Sequence, residues 1–171
     1  MPEPNYTKKG ATFSPCENYR YTLLREWSCL SDKAGYVLFI MLNPSTADEH
    51  ILDPTVRRCV QYAIDWGYKE MHVVNIFAWR STDPKGLDDN IDPIGIDNDK
   101  CIYSEVEDAD LVIAAWGTHG MFKNRGEQVT EMITKLKNIY CLKKVKGDIP
   151  GHPLYLKRNL KPMIYSEKKG D

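Results

Sequence analysis

The sequence predicts a three-layer α/β/α sandwich around a central, mainly parallel four-stranded sheet, with one further strand at an N-terminal edge. Four short apolar segments alternate with three segments whose apolar residues recur at helical spacing. This is the order of a parallel sheet covered by helices on both faces. The 171 residues are 42% hydrophobic, which is enough for one core. We therefore expect a single domain over residues 1–171, with its folded core at 19–162.

Four segments have the composition of strands in a parallel sheet. The first, residues 36–42, contains only apolar and aromatic side chains, as in a strand covered on both faces. The other three are residues 71–77, 110–116 and 138–142. Residues 19–27 precede this series and also resemble a strand, so we expect them at an edge of the sheet, paired antiparallel.

The first predicted helix carries signals at both ends. Asp53 is a favourable N-cap, Pro54 suits the first helical position, and Gly67 is placed to end the helix. Its apolar stripe consists of Val56, Cys59, Val60, Ala63 and Ile64. We expect a second helix from residue 97 or 98, with Ile102 and Val106 facing inward. A third should begin near residue 126, with an apolar face of Val129, Met132, Ile133 and Leu136.

Charge and cysteine content limit the classes of function. Lys and Arg number 23 against 24 Asp and Glu, a net charge of −1, whereas proteins that wrap nucleic acid usually carry a basic excess. We therefore expect a small ligand or a short contact with one nucleotide, and a nucleic-acid partner has weak support, through a local basic patch alone. The five cysteines are scattered and form no C-x-x-C pair, so we expect neither a disulfide framework nor a zinc site. We also expect no other metal and no cofactor. Cys59 and Cys141 should lie in the core.

No segment predicts a membrane span or a secretion signal. The longest wholly apolar run, residues 37–42, is far shorter than the roughly 20 residues of a spanning helix. The first residues lack the basic and apolar regions of a signal peptide. We expect a cytoplasmic protein without a membrane partner, with solvated and mobile ends at residues 8–10 and 166–171.

Polar residues follow the first predicted strand, where ligands bind in an open parallel sheet. They are Asn43, Pro44, Ser45, Thr46 and Asp48, followed by Asp53, Arg57 and Arg58. A turn with a helix cap would explain some of them. Arginines in a first helical turn, however, oppose the helix dipole. An anionic ligand or a carboxylate such as Asp48 would explain the arginines; the alternative is a solvated surface pair.

Further candidates follow the other strands. After the second strand, the carboxamide of Asn75 offers a donor beside an acceptor, as a nucleobase edge requires, and Phe77 and Trp79 could stack on a ring. Alternatively, Asn75 bonds to loop backbone and the aromatics belong to the core. Trp116 and Gly117 follow the third strand, where glycine permits close approach of a ligand. His119 is interpreted as a polar loop residue.

The segment after the fourth strand contains a histidine between Gly151 and Pro153. His152 therefore has a restricted backbone and could donate a hydrogen bond to developing negative charge or carry a proton. Tyr155 follows, and a basic group that could meet a phosphate comprises Lys157, Arg158 and Lys161.

Six ordered motifs resemble the phage and bacterial family of domain of unknown function 1643, over about residues 19–161. They are Met-Leu-Asn-Pro-Ser-Thr-Ala-Asp at 41–48, Asp53-Pro54-Thr55 with Arg57-Arg58-Cys59, Asn75 with Phe77-Ala78 and Arg80, Asn98-Asp99, Ala115-Trp116-Gly117, and His152-Pro153-Leu154-Tyr155-Leu156. That resemblance implies no settled activity.

A more distant likeness is to the uracil-DNA glycosylase superfamily. Those α/β/α sandwiches carry a G-x-[DN]-P motif after the first strand, a base-reading asparagine after the second and an H-P-S motif after the last. Here Asn43-Pro44, Asn75 and His152-Pro153 are similar in order and spacing. The chain departs from the pattern at Met41, where those enzymes have glycine, and at Leu154, where they have serine.

This likeness implies an enzyme that cleaves the N-glycosidic bond of a nucleotide or modified base. Asn43 would orient water, Asn75 would read the base, and His152 would donate to the base carbonyl, stabilising the leaving anion. Asp48 or Asp53 would activate the water or steady the sugar cation, and Arg57 and Arg58 would hold phosphate. Two alternatives are a nucleotide-binding protein without catalysis, as in phage–host conflict, and a structural domain with a filled cleft.

Overall fold

The computed structural model describes residues 2–31, 33–45, 53–87 and 92–170. The strands are β1 (Tyr6–Phe13), β2 (Arg20–Trp27), β3 (Val37–Met41), β4 (Glu70–Asn75), β5 (Leu111–Ala114), β6 (Ile139–Cys141), β7 (Lys144–Val145), β8 (Ile149–Pro150) and β9 (Met163–Ser166). The α-helices are α1 (Pro54–Asp65), α2 (Asn98–Asp108) and α3 (Arg125–Ile133). Short 3₁₀ segments cover Pro84–Leu87, Thr118–Asn124 and Pro153–Tyr155.

Seven of the described strands form one sheet in the order β1-β2-β4-β3-β5-β6-β9. The four predicted parallel strands lie at its centre, because β3 pairs in parallel with both β4 and β5, and β5 pairs in parallel with β6. The chain thus passes from β3 to β4 on one side and then to β5 on the other. Such a reversal of strand order creates a crevice at the carboxyl ends of the strands.

The sheet is wider than predicted, and residues 19–27 do not lie at its edge. β1 covers β2 as an antiparallel outer strand, and β9 pairs antiparallel with β6 at the opposite side. Lys8, Lys9 and Gly10, expected as a mobile end, belong to β1. Lysines are typical of exposed edge strands, and their polarity conceals such a strand from an analysis of apolar periodicity. Ser166 ends β9, and the following Lys169 donates its backbone N–H to Thr134 at 2.9 Å.

The predicted helix signals are confirmed. Asp53 caps α1 by accepting the Val56 N–H at Oδ1 over 2.8 Å. Gly67 has a positive φ of 82° beyond the last turn, and its N–H bonds the Ile64 carbonyl at 2.9 Å. Ile102 and Val106 of α2 are completely buried, as the helical spacing predicts.

The core has two layers, one on each face of the sheet. Val37, Phe39 and Met41 of β3 pack with the apolar stripe of α1, while Leu38 and Ile40 pack with α2 and α3. Cys59 and Cys141 are buried and free, as expected. In the described part of the chain, no helix combines the length and apolar character needed to cross a membrane.

Candidate functional site

A cavity of about 580 Å³ lies at the carboxyl ends of the parallel strands. Segments distant in sequence form its wall: the ends of β3 and β4, the turn after β5, the first turn of α1, and the segment after β8. Of the predicted site residues, it is lined by Asn43, Ser45, Asp53, Asn75, Trp116, Gly117, His152 and Tyr155. The topology therefore brings the Asn-Pro, Asn75 and His-Pro motifs to one cleft.

Asn75 provides the most distinctive polar group of the cavity. It is the last residue of β4, paired with Met41 of β3, and only 2% of its surface is exposed. Its carboxamide makes no hydrogen bond with any residue in the described ranges. Buried amides are normally satisfied, so this side chain has one donor group and one acceptor open to a guest in the cavity.

The backbone at Asn75 is fixed by buried side chains from the next two helices. Asn98, at the start of α2, donates from Nδ2 to the Asn75 carbonyl at 2.8 Å and to the Ile76 carbonyl at 3.3 Å. Arg125, at the start of α3, donates from Nε to the Ile76 carbonyl at 2.8 Å and pairs with Asp99. Neither the Asn98 nor the Arg125 contact was predicted, because both depend on helix packing.

Asn43 joins the exit of β3 to the loop after β4. Its Nδ2 donates to the Ser81 carbonyl at 2.8 Å and to the Pro44 carbonyl at 3.3 Å. Pro44 is buried, and its carbonyl also accepts the Ser81 N–H at 2.9 Å. The amide nitrogen that was expected to orient water is thus used in holding the cavity wall together.

The first turn of α1 contributes a carboxylate to the cavity. One oxygen of Asp53 caps the helix, and the other accepts the Ser45 hydroxyl at 2.9 Å. Both oxygens therefore accept a hydrogen bond from a neighbouring group of the protein.

His152 lines the same cavity as this carboxylate. Burial lowers the pKa of His152 below its usual value of 6.5, and the negative charge of Asp53 opposes that shift. The ring is therefore neutral at pH 7. Its Nδ1 accepts the Leu154 N–H at 3.4 Å, which places the proton on Nε2 and makes that atom a donor.

Gly117 brings the turn after β5 against His152. Its φ of 73° and ψ of −170° are accessible almost only to glycine, and an added Cβ would lie 3.2 Å from His152 Cβ. The Gly117 N–H also donates to the Pro150 carbonyl at 3.0 Å. The glycine thus fixes the distance between two walls of the cavity.

Arg20 is a cavity residue that sequence analysis missed. It begins β2, is 3% exposed, and lines the cavity. Burial lowers the pKa of its guanidinium to about 10, and the charge of Asp53 opposes this shift. Other unpredicted lining residues carry hydroxyl groups or a positive charge: Thr55, Ser81, Thr82, Thr118 and Lys143. His119, interpreted as a polar loop residue, also lines the cavity and is exposed.

Several predicted residues lie elsewhere. Phe77 is completely buried in the core beside Phe122, so the core alternative holds for this aromatic. Arg80 donates to the Glu17 carbonyl at 3.0 Å.

The two arginines of α1 also bind other groups. Arg57 forms an exposed ion pair with Glu3 at 3.1 Å, and Arg58 donates to the Leu156 carbonyl at 2.7 Å. Like Phe77 and Arg80, neither arginine lines the cavity, while Thr46 and Asp48 lie outside the described residues.

The aromatic residues at the cavity differ in exposure. Trp116 is 3% exposed and packs edge-on against Tyr165, so the core holds most of its ring. Tyr155 is 82% exposed at the mouth, and its ring centroid lies 5.5 Å from that of His152. Within the described ranges, no cluster of three His, Cys, Asp or Glu side chains is arranged to hold a metal ion.

Comparison with known proteins gives one match. No curated protein and no solved structure matches the chain significantly. A family model described as a protein of unknown function, DUF1643, matches residues 20–154, which include every described residue of the cavity wall except Tyr155 and Leu156. This match spans well over half of the chain, and the protein therefore belongs to the DUF1643 family.

Proposed function

We propose that the cavity binds the nucleobase of a nucleoside or nucleotide. The observation that carries this proposal is the buried Asn75 carboxamide, which presents a donor and an acceptor to a cavity of about 580 Å³. A planar heterocycle with an acceptor beside a donor pairs with such a group through two hydrogen bonds. Cavities of a few hundred cubic ångströms are typical of sites for small ligands.

His152 supplies a second contact for the same ligand. As a neutral imidazole with its proton on Nε2, it can donate to a carbonyl oxygen of the base. Burial lowers the pKa of its ring, which favours this neutral form. A neutral donor recognises a neutral base without the cost of burying another charge.

The same contacts are suited to hydrolysis of the N-glycosidic bond. When the bond between C1′ and the base nitrogen breaks, its electron pair goes to the base. The negative charge spreads to the carbonyl oxygen, where the His152 N–H would stabilise it. Water then adds its oxygen to C1′ and loses one proton, and the base gains one. The order of the Asn-Pro, Asn75 and His-Pro motifs, similar to that of uracil-DNA glycosylases, supports this chemistry.

To test the catalytic proposal, the protein is incubated with a panel of nucleotides and base-modified oligonucleotides. The free base released is measured by chromatography. We expect release by the wild-type protein and a loss of about 100-fold in His152→Ala, the usual scale for removing a transition-state donor. A matched control is His119→Ala, which changes an exposed histidine at the mouth of the same cavity. Absence of release from every substrate contradicts glycosidic hydrolysis.

A second candidate function is binding of an intact nucleotide without cleavage. This binding function is favoured by the structural role of Asp53, whose two oxygens accept the Val56 N–H and the Ser45 hydroxyl and so hold the start of α1 to the exit of β3. A base that activates water needs an oxygen within hydrogen-bond reach of that water. Calorimetry separates the two functions. An intact nucleotide that binds tightly, is recovered unchanged and binds equally to Asp48→Asn supports the binding protein, whereas cleavage that depends on Asp48 supports the enzyme.

A further inference from the structure

A second cleft adjoins the cavity and differs from it in charge. Its volume is about 290 Å³, and it lies between the N-terminal segment, α1 and the segment that follows His152. Its charged lining residues are Arg57, Arg58, Arg158 and Glu3. We define these residues with the cleft they line as the arginine groove.

The first turn of α1 separates the two clefts. Asp53, Thr55 and Val56 line the cavity, whereas Pro54, Arg57 and Arg58 line the arginine groove. Leu154 lines both. The helical period thus turns alternate residues of one short segment toward two adjoining clefts. Tyr155, the residue after Leu154, lines the cavity and is exposed.

The cations of the groove differ in how strongly they are engaged. Arg58 donates to the Leu156 carbonyl, which fixes the segment between the clefts. Arg57 pairs with Glu3, but its side chain is 60% exposed, and exposed ion pairs of this kind are weak. The side chain of Arg158 is exposed and makes no hydrogen bond or ion pair with any residue of the described segments. Two guanidinium groups are therefore accessible to an external anion.

We propose that the arginine groove binds the phosphate backbone of a single-stranded polynucleotide whose base occupies the cavity. This inference rests on the proposed function and names its substrate class. Guanidinium groups match phosphate oxygens in pairs, and an exposed aromatic ring beside a basic groove is typical of surfaces that bind single strands. A net charge of −1 for the chain is compatible with this, because three arginines line this one cleft.

The arrangement also explains why Arg57 and Arg58 are separated from the base-binding groups. The first turn of α1 and Leu154 would separate a phosphate in the groove from a base in the cavity. This separation fits the phosphate of a neighbouring nucleotide in the same strand. A free nucleoside would occupy the cavity and leave the groove without a ligand.

The test compares the salt dependence of binding in two double variants of equal charge. A fluorescein-labelled single strand of about twelve nucleotides, within the usual range of site sizes, is titrated by anisotropy between 50 and 250 mM NaCl. Arg57→Gln with Arg158→Gln removes two groove cations. The control, Lys100→Gln with Lys135→Gln, removes two exposed cations on α2 and just beyond α3, which cover the opposite face of the sheet. Binding of the matching nucleoside is measured by calorimetry in every variant.

We expect the groove variant to reduce the magnitude of the negative slope of log K against log salt by about 1.4, because each phosphate contact on a single strand contributes about 0.7. The control variant keeps the wild-type slope, and nucleoside affinity stays unchanged in both. Equal slopes in the two double variants overturn the inference, as does a strand that binds no more tightly than the nucleoside. Those results leave base binding in the cavity intact. A different outcome rejects the proposed function: no nucleoside binds, but the salt dependence of strand binding still changes when Arg57 and Arg158 are replaced. In that case the arginine groove still binds phosphate.

Discussion

The side-chain amide of Asn98 donates a hydrogen bond of 2.8 Å to the main-chain carbonyl of Asn75. This bond connects the first turn of α2 to the residue whose own carboxamide opens into the cavity. Asn98 is completely buried, so water cannot replace it as the donor. The position of the Asn75 side chain therefore depends on a residue that does not itself line the cavity.

Replacing Asn98 by alanine should weaken both the fold and the site. The buried Asn75 carbonyl loses its side-chain donor, and such a loss costs about 1–3 kcal/mol. The Ile76 carbonyl loses the longer Asn98 bond but keeps the Arg125 donor. We expect the free energy of unfolding in urea to fall by a few kcal/mol and nucleoside affinity to fall as well.

The control for Asn98 is Thr134→Val, which removes a buried hydroxyl from the end of α3. It should lower stability without changing nucleoside affinity. Unchanged affinity in Asn98→Ala, measured at a temperature where the variant is folded, would contradict the positioning of Asn75 by Asn98.

Replacing Gly117 by alanine should disturb His152. The backbone conformation is costly for any side chain, by roughly 1–3 kcal/mol, and the new Cβ would meet His152 Cβ at 3.2 Å. We expect lower stability together with a changed NMR chemical shift for the His152 ring. Gly67→Ala is the matched control, because Gly67 also has a positive φ but nothing lies within 4 Å of its Cβ position. An unchanged His152 resonance in Gly117→Ala would show that the contact has no effect on the ring.

The pH dependence of stability at His152 has a definite sign. Burial lowers the pKa of this ring in the folded state, an effect partly offset by Asp53. The unfolded chain therefore binds a proton more readily, and His152 destabilises the fold as pH falls below 6.5. Urea titrations between pH 5 and 8 should show a smaller loss of stability at acidic pH in His152→Gln than in the wild type. An equal loss in both proteins contradicts the assignment.

His72 should show the opposite dependence. Burial lowers the pKa of its ring, but hydrogen bonds with Glu105 at 2.6 Å and Glu70 at 2.9 Å outweigh that effect, and the pKa is raised. Its contribution is complete below the unfolded value of 6.5 and is lost as pH rises through the higher folded value. The stability difference between wild type and His72→Gln should therefore shrink from pH 5.5 to pH 8.5. A difference that grows over this range would be inconsistent with a protonated His72.

The parallel core could be predicted from sequence because its strands have continuous apolar runs. The helix α1 also has an N-cap, an apolar stripe and a terminating glycine. The outer strands could not be predicted in this way. β1 contains Lys8 and Lys9 and is exposed along much of its length, so its pairing with β2 leaves no apolar pattern. Arg20 was missed because its burial at the start of β2 depends on the neighbouring strands of the sheet, which include the unpredicted β1.

At the candidate site, sequence located the segments better than the side chains. Simple alternation would place Asn75 and Phe77 on the same face, but β4 ends at Asn75, and both Ile76 and Phe77 pack in the core layer beneath α2 and α3. The arginines of α1 were expected beside the ligand. They line the neighbouring groove instead. Their direction depends on how α1 is oriented on the sheet, which the sequence pattern does not give.

A crystal structure of the protein with its tightest-binding nucleoside or nucleotide tests the central claim most directly. We expect the edge of the base to lie within about 3.2 Å of both polar atoms of the Asn75 carboxamide, with His152 Nε2 donating to a ring carbonyl oxygen. An ordered ligand that leaves the Asn75 carboxamide bonded to water alone, or that binds outside this cavity, would contradict the account.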